Sequence, residues 1–342
     1  MKENDEISNI EKVLGSGNID KKDLLDEYKS LAASYKSLLR QTNKLIKISD
    51  STQNKLKAAQ ESLALQNNKI NKSNKELKMA NASIERYLTI INSELDIAAE
   101  YVRSLLPLPI KNGKILTNWK YEPSRQLGGD AFGYHWIDDE NFAIYLFDVC
   151  GHGVGPALHS VSALHALRFQ ILPGADFSDP AGVLASLNEN FQMKDHNDMY
   201  FTIWYGVYNK KRKEIKYAAA GHHAGFLVMP GGGGIELYTR NLMIGVDPDF
   251  KYLSNSVVID TPASLYLFSD GVFEFELNDG LLWTIEELQK FLAENIYKGD
   301  DSQDLLFENY ELELDNVYAH VIHTSKEHKL KDDFSLLKVS FL

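Results

Sequence analysis

Two patterns of apolar spacing divide the chain into a long helical part and a globular part. Residues 21–106 contain no Pro or Gly, and apolar side chains recur there every seven residues. Heptads sustained over this length are typical of a coiled coil. The first register consists of Leu24, Leu31, Leu38 and Leu45, and after an eleven-residue step the second consists of Leu56, Leu63, Ile70, Leu77, Ile84 and Ile91. The pattern predicts a dimerisation and signalling helix over 21–106. A parallel homodimer is the favoured assembly, and a helix packed on its own domain is the alternative.

Pro107 and Pro109 predict the end of this helix, because proline lacks a backbone N–H and clashes with the preceding turn. Short apolar runs broken by Gly, Asn and Asp follow, and they predict strands at Ile115–Tyr121, Phe142–Phe147, Phe201–Tyr208, Glu214–Ala220, Phe226–Met229, Ser264–Phe268 and Phe334–Phe341. Helical patterns cover Pro156–Gln170, Pro180–Met193 and Ile285–Asn295. Many strands with few helices predict a layered α/β (α+β) domain over 107–342, in which helices flank the sheets.

Composition narrows the class of protein further. Residues 1–100 hold 16 Lys/Arg and 15 Asp/Glu, which leaves 20 and 33 for the remainder, so the net charge of −12 belongs to the globular part. An acidic domain without clustered Lys/Arg argues against nucleic-acid binding. The single cysteine excludes an internal disulfide and fits a reducing cytoplasm. No apolar run reaches the roughly 20 residues that span a bilayer, and residues 1–20 are polar, with no signal-peptide core, so we expect a flexible N-terminus.

Carboxylates stand at the ends of the predicted apolar strands. Asp148 ends Phe142–Phe147 and is followed by a glycine-rich turn, Asp270 lies just after Ser264–Phe268, and Asp332-Asp333 precedes the last strand. Asp130, in Gly128-Gly129-Asp130, is a fourth candidate. Glycine beside a carboxylate allows the backbone to approach a ligand closely. An isolated Asp-Gly is usually a turn, but four such positions at strand ends favour a shared site.

Carboxylates that converge in a buried site repel one another, and burying such like charges costs several kcal/mol without compensation. A divalent cation provides that compensation. Oxygen ligands suit Mg²⁺ or Mn²⁺ better than Zn²⁺. Two such ions about 4 Å apart could activate a water and clamp a phosphoryl group.

Five ordered motifs resemble the bacterial SpoIIE/RsbU-type branch of the PPM metal-dependent serine/threonine protein phosphatases. They are Leu105-Leu106-Pro107, Asp148-Val149-Cys150-Gly151-His152-Gly153 with Ala157-Leu158, Ala220-Gly221-His222, Ser269-Asp270-Gly271 and Asp332-Asp333-Phe334-Ser335. The resemblance covers about residues 95–342. It implies a β-sandwich flanked by helices, with two Mn²⁺ or Mg²⁺ ions that activate water against phosphoserine or phosphothreonine.

The resemblance also implies a role for each acidic position. Asp148 would bridge both metal ions, and Asp130 would bind the first together with the backbone carbonyl of Val149. Asp270 and Asp332 would bind the second ion, with Asp333 as the alternative to Asp332. Many relatives read Gly-Gly-Asp-Phe-Tyr-Asp where this chain reads Gly129-Asp130-Ala131-Phe132-Gly133-Tyr134, so one acidic group is missing.

Several other residues are weaker candidates. His152 could be the general acid for the leaving oxygen, or a histidine that only orients its turn. Arg125 could hold the substrate phosphate bidentately, or be an ordinary surface arginine. His222 and His223, where His-Pro is common in the branch, could ligate metal but fit a turn better. Cys150 has no arginine at the spacing that cysteine phosphatases need, so it is interpreted as a small buried side chain.

Taken together, the chain is expected to be a metal-dependent phosphoprotein phosphatase with direct attack of water on phosphorus. By resemblance, its substrate is a phosphorylated serine or threonine on a small regulatory protein, such as an STAS-type anti-sigma-factor antagonist, and the coiled coil couples a dimeric input to catalysis. The alternative is a pseudo-phosphatase that binds its partner without hydrolysis.

Overall fold

The structure is a computed structural model that describes residues 20–229, 233–260, 262–278, 280–296, 310–326 and 328–342, together with residues 8, 11 and 12. The chain forms two compact units, Met1–Thr89 and Ile90–Leu342. Most of the predicted flexible N-terminus, 1–20, lies outside the described residues, and the predicted domain boundaries stay predictions.

Helix α1 runs over Lys21–Ser104, so the predicted long helix is confirmed and ends just before Pro107. None of its residues is buried. The leucines and isoleucines of both heptad registers are exposed, with 40% to 66% of their surface accessible. Pairing of this helix with a second copy stays a prediction. Among the described residues, no helix is long and apolar enough to cross a membrane.

Two five-stranded antiparallel sheets form the centre of the globular unit. The first has the order β2-β3-β4-β5-β8, and the second has the order β1-β12-β9-β6-β7. The strands are β1 (Ile115–Glu122), β2 (Ala131–Trp136), β3 (Asn141–Val149), β4 (Phe201–Asn209), β5 (Glu214–Ala220), β6 (Gly225–Met229), β7 (Gly233–Leu237), β8 (Asn255–Val258), β9 (Ala263–Phe268) and β12 (Phe334–Phe341). A small hairpin pairs β10 (Phe275–Glu276) with β11 (Leu282–Trp283).

Three apolar cores give the unit four layers. The sheets pack on each other through residues such as Leu146, Trp204 and Leu265. Helices α2 (Val154–Arg168) and α3 (Pro180–Asn190) cover the outer face of the first sheet, and helices α4 (Ile285–Ile296) and α5 (Tyr310–Thr324) cover that of the second. Because each sheet is covered on both faces, strands such as β3, β4, β9 and β12 are buried nearly throughout, which explains their continuous apolar runs, whereas the edge strands β7 and β8 are mostly exposed. The predicted layered sandwich is confirmed.

Local signals placed two helices accurately. Asp179 caps α3 by accepting a hydrogen bond from the Gly182 N–H at 3.2 Å, and proline follows it at the first turn. The Glu287 carboxylate accepts from the Thr284 N–H at 2.9 Å, as the capping-box pattern predicts. The prediction missed strands β2, β7, β8, β10 and β11 and helix α5.

Helix α5 is anchored to the second sheet by a largely buried polar network. Lys338 on β12 donates to Glu313 at 2.6 Å, and the Tyr266 hydroxyl donates to the other oxygen of the same carboxylate at 2.6 Å. The Lys338 side chain is only 6% exposed, so the ion pair compensates a charge that burial would otherwise penalise. This anchor matters for the site because α5 leads into the loop that carries Asp332.

Candidate metal centre

Asp130 and Asp148 are brought together by the pairing of β2 with β3. Ala131 lies opposite Phe147 in the antiparallel register, so the preceding Asp130 comes beside Asp148 near the end of β3. Asp130 is buried, and its Oδ2 accepts a hydrogen bond from the Ser335 hydroxyl at 2.5 Å. Ser335 belongs to the other sheet, so this contact links the two sheets at the site.

Asp270 and Asp332 are brought together by the pairing of β9 with β12. Leu336 lies opposite Phe268, and the ladder extends to a hydrogen bond from the Ser269 N–H to the Ser335 carbonyl at 2.9 Å. Asp270 opens a short 3₁₀ turn, Asp270–Val272, directly after β9. The carboxylates of both sheets therefore occur at strand ends that meet at one edge of the sandwich.

The two adjacent aspartates before β12 have different environments. Asp333 is buried, and its carboxylate accepts from the Ser124 N–H at 2.8 Å, the Ser124 hydroxyl at 3.0 Å and the Gly129 N–H at 2.7 Å. Asp332 is exposed, and its Oδ1 accepts from the Asp333 N–H at 2.8 Å. Asp333 therefore holds the loop that leads to Asp130, which makes Asp332 the better candidate to face a cation.

Two glycines allow the backbone segments of the site to touch. A Cβ atom added at Gly129 would lie 2.6 Å from the Val149 carbonyl oxygen, next to Asp148. A Cβ atom added at Gly271 would lie 2.2 Å from the Asp333 carbonyl oxygen and 2.9 Å from that of Asp332. All three distances are too short for any side chain, so only glycine permits this approach. Close packing of the backbone therefore explains why glycines stand beside the carboxylates.

The carboxylates oppose one another's ionisation. Burial, and then the charges of Asp148 and Asp333, raise the pKa of Asp130 well above its usual value. Burial, followed by the charges of Asp270 and Asp332, raises the pKa of Asp148 to about 7. Burial and the charge of Asp332 raise the pKa of Asp270 to about 6. Like charges held together in this way are the arrangement that a divalent cation stabilises.

The donor set fits Mn²⁺ or Mg²⁺. Its side-chain donors are carboxylate oxygens, which these hard ions prefer. In the described part of the chain, no three His, Cys, Asp or Glu side chains are close enough together to hold one metal ion by themselves. Mg²⁺ sites usually keep several waters and use only one or two carboxylates.

The remaining candidates lie around this centre with different exposure. His152 and Arg125 are exposed, and the loop before Arg125 is held by the contacts of Ser124 with Asp333. Val149 is buried, with its carbonyl packed against Gly129. Cys150 is partly buried, and its sulfur accepts from the Tyr200 N–H at 3.3 Å.

The two adjacent histidines face protein groups. The Nδ1 atom of His222 lies 2.9 Å from the Thr202 hydroxyl, and Nε2 of His223 contacts the Phe268 carbonyl. His222 is buried and His223 is half-buried, and burial lowers the pKa of His223 to about 4 and that of His222 well below its usual value. The turn interpretation fits these contacts.

Sequence reasoning did not single out the serines that organise the site. Ser269 donates to the Asp333 carbonyl at 2.8 Å and accepts from the Ser335 N–H at 3.0 Å, while Ser335 donates to Asp130. Both serines belong to the motifs Ser269-Asp270-Gly271 and Asp332-Asp333-Phe334-Ser335, so the sequence did contain a signal for their importance. Only the contacts between distant segments of the chain reveal which groups these two serines hold in place.

Comparison with solved structures defines the class as a PP2C-type protein phosphatase fold. The PP2C domain of SiaA from Pseudomonas aeruginosa superimposes with a TM-score of 0.61 at 21% identity, over 74% of this chain and 98% of that domain. A SpoIIE fragment from Bacillus subtilis, with the PP2C domain and part of the regulatory domain, gives a TM-score of 0.54 at 18% identity, over 67% of this chain and 64% of that one.

Sequence comparison then gives the family. Residues 138–342 match the family model described as Stage II sporulation protein E (SpoIIE), and the chain belongs to that family. Phosphoserine phosphatase RsbU of Bacillus subtilis (strain 168) is 28% identical over 250 residues, which are 72% of this chain and 70% of RsbU. Phosphoserine phosphatase RsbP of the same strain is 29% identical over 185 residues, but the match spans only 45% of RsbP. The chain is therefore a protein phosphatase, a hydrolase.

We expect Mn²⁺ to raise the melting temperature more at about pH 7.5 than at about pH 5.5, because protons compete with the metal for carboxylates of raised pKa. Without metal, the folded state holds protons that an unfolded Asp, with a pKa of about 3.9, has lost. These carboxylates therefore destabilise the metal-free protein increasingly as the pH rises from about 4 to 7.

Thermal unfolding in EDTA and in Mn²⁺, followed by circular dichroism, measures both effects. Asp148→Asn is the control, because an asparagine cannot titrate at this position. The native-minus-variant stability difference should fall with rising pH in EDTA. A Mn²⁺ shift of equal size at both pH values would contradict the expectation.

Proposed function

We propose that this chain is a Mn²⁺- or Mg²⁺-dependent phosphatase that removes phosphate from serine or threonine of a small regulatory protein. The observation that carries the proposal is the convergence of Asp130, Asp148, Asp270 and Asp332 from both sheets at one edge of the sandwich. Asp148, Asp270 and Asp332 each raise the pKa of a neighbouring carboxyl, so side chains that lie this far apart in sequence need a common cationic ligand to be ionised together.

The ligand assignment follows the placement of each group. Asp148 raises the pKa of Asp130 on its own sheet, and its own pKa is raised by Asp270 and Asp332 of the other sheet, which suits a ligand shared between two ions. Asp130 and the Val149 carbonyl would hold the first ion, and Asp270 with Asp332 would hold the second. When bound, the two ions supply a water of lowered pKa and polarise the phosphoryl group.

Residues of the chain itself would bind and protonate the substrate. Arg125 is exposed on a loop that Asp333 fixes, so its guanidinium can reach a phosphoryl group and bind two of its oxygens. His152 is exposed in the turn between β3 and α2, where it can donate a proton to the leaving oxygen.

The proposed substrate is a phosphorylated regulatory protein of the STAS type. The names of RsbU and RsbP describe them as phosphoserine phosphatases, which supports phosphoserine as the reactive group. Such a partner would place the enzyme in the cytoplasm, in line with a chain that has one cysteine.

We also propose a homodimer formed through α1. The exposed leucines and isoleucines of its two heptad registers supply an apolar seam that a second copy would cover. The segment of Ile84, Leu88, Ile91, Leu95, Ala98, Val102 and Leu105 would pair across the dimer and control how well the carboxylates assemble.

A catalytically weak scaffold is the second candidate. The observation that favours it is Gly133-Tyr134, where many relatives have the second acidic group of the motif. All four aspartates of the proposed site are nevertheless present, and this argues for hydrolysis.

We expect the native chain to release phosphate from p-nitrophenyl phosphate only when Mn²⁺ is added. Asp148→Asn and Asp270→Asn should each lower kcat/KM by at least about a hundredfold, since losing about 3 kcal/mol of metal-derived stabilisation has that effect. Asp333→Asn, which keeps one accepting oxygen and replaces the other with an amide NH₂ at a structural position, is the comparison variant. Native turnover that does not depend on Mn²⁺ would reject the metal-dependent mechanism, whereas no turnover in the presence of Mn²⁺ would reject the enzyme and support the scaffold.

The proposed roles of Arg125 and His152 can be distinguished by comparing the activity of their variants on two substrates. Arg125→Ala should lower kcat/KM about 10- to 100-fold on a phosphopeptide and on p-nitrophenyl phosphate alike, because charge-assisted hydrogen bonds are worth about 1.5–3 kcal/mol. Arg125→Lys should recover only part of the loss.

His152→Ala should slow phosphoserine hydrolysis at least about a hundredfold. It should barely affect p-nitrophenyl phosphate, because nitrophenolate leaves without protonation. Equal losses on both substrates would refute the role of His152 as general acid.

Removal of residues 1–80 should weaken the dimer and change turnover, because most of the apolar seam is lost and only the segment over 84–105 remains to pair. Light scattering gives the mass, and phosphate release gives the rate. A truncated chain that remains dimeric with unchanged activity would exclude regulation through α1.

A further inference from the structure

The adjacent histidines His222 and His223 connect the two sheets beside the carboxylates. The Nδ1 atom of His222 lies 2.9 Å from the hydroxyl of Thr202 on β4. The Nε2 atom of His223 contacts the carbonyl of Phe268 at the end of β9. The two rings touch, with centroids 4.1 Å apart and planes tilted by 30°. The pair therefore forms a continuous link from one sheet to the other.

At the first sheet, this link ends beside Asp148. Thr202 lies directly opposite Asp148 in the antiparallel register of β3 and β4. Directly opposed residues project from the same face with Cβ atoms about 4.5–5.5 Å apart. A hydrogen bond that fixes the Thr202 side chain therefore restricts the space available to the Asp148 carboxylate.

At the second sheet, the link ends two residues before Asp270. The His223 ring stacks on the Phe268 ring at 4.9 Å and meets the edge of Phe273 at 5.0 Å. Phe268 and Phe273 flank the short turn that begins at Asp270. The imidazole therefore fixes both the carbonyl and the ring at the strand end from which Asp270 projects.

The chemistry of the two imidazoles suits a support better than a ligand. The Phe268 carbonyl can only accept, so Nε2 of His223 carries the proton and cannot bind a cation. Burial lowers the pKa of both imidazoles, so they are neutral at pH 7 and bring no positive charge to compete with a metal ion.

We propose that His222 and His223 are positioning residues that set the separation of Asp148 and Asp270, and thereby the affinity of the site for its pair of cations. This inference rests on the proposed metal centre. Groups that orient metal ligands in this way typically change metal affinity or activity by about 10- to 100-fold when they are removed.

Isothermal titration calorimetry of the full chain with Mn²⁺ tests this without requiring turnover. Thr202→Val removes the hydroxyl at nearly constant shape, and Thr202→Ser keeps it. We expect the valine variant to bind Mn²⁺ about 10- to 100-fold more weakly and the serine variant to bind close to native. Mn²⁺ affinity unchanged in the valine variant, or lowered equally in both, would overturn the proposal.

The contact between His223 and Phe268 is tested with its own matched pair of variants, because a substitution of a large side chain can affect folding. His223→Gln keeps an N–H donor for the Phe268 carbonyl, whereas His223→Leu does not. Thermal unfolding of the metal-free variants is the control. A role limited to stability would lower the melting temperature of His223→Leu and leave its Mn²⁺ affinity native, which would contradict the proposal.

Mn²⁺ binding and hydrolysis by the native chain together show whether a negative result counts against the histidine support or against the proposed function. Tight Mn²⁺ binding without hydrolysis by the native chain would reject the phosphatase and leave the histidine support to be decided by the variants. No Mn²⁺ binding by the native chain would reject both.

Discussion

Mutual repulsion among buried carboxylates is the constraint on which the site depends. The sandwich places the ends of β3, β9 and β12 at one edge, and the chain approaches itself there so closely that a side chain at Gly129 or Gly271 would overlap backbone oxygens. Burial, followed by the repulsion between neighbouring carboxylates, raises the pKa of Asp148 to about 7 and that of Asp270 to about 6. Keeping these carboxylates ionised together requires a compensating positive charge, which the proposed pair of cations would provide.

The site divides its acidic residues between cation binding and structure. Asp333 accepts three hydrogen bonds from Ser124 and Gly129, so it anchors the loop before β2 instead of facing open space. Asp332, one residue earlier, is exposed beside Asp270. Ser335 connects the sheets by donating to Asp130. Hydrogen bonds between distant segments therefore place the proposed ligands, and the histidine pair would add a second connection of the same kind.

Much of the fold could be predicted from local pattern. The continuous apolar runs of β3, β4 and β9, the Asp179 cap and the Thr284–Glu287 box each carry their own signal. Strand β2 was missed because Gly133 and His135 interrupt its apolar character, and β8 because it is a short, exposed edge strand. Helix α5 had a usable signal in Leu314, Val317 and Val321, spaced for one buried face.

The site was predictable in kind but not in detail. A carboxylate at a strand end is visible in sequence, whereas the partners of Asp333 lie about 200 residues away, at separations of 204 and 209. No local pattern separates Asp332 from Asp333, or shows that Thr202 faces Asp148. Those distinctions arise only when β12 pairs with β9 and β4 pairs with β3.

Anomalous X-ray diffraction from crystals of the full chain grown with Mn²⁺ tests the central claim most directly. Our account predicts two manganese peaks about 4 Å apart, with Asp148 between them, Asp130 at one ion and Asp270 and Asp332 at the other. Manganese bound elsewhere, or no manganese between these carboxylates at saturating concentration, would contradict it.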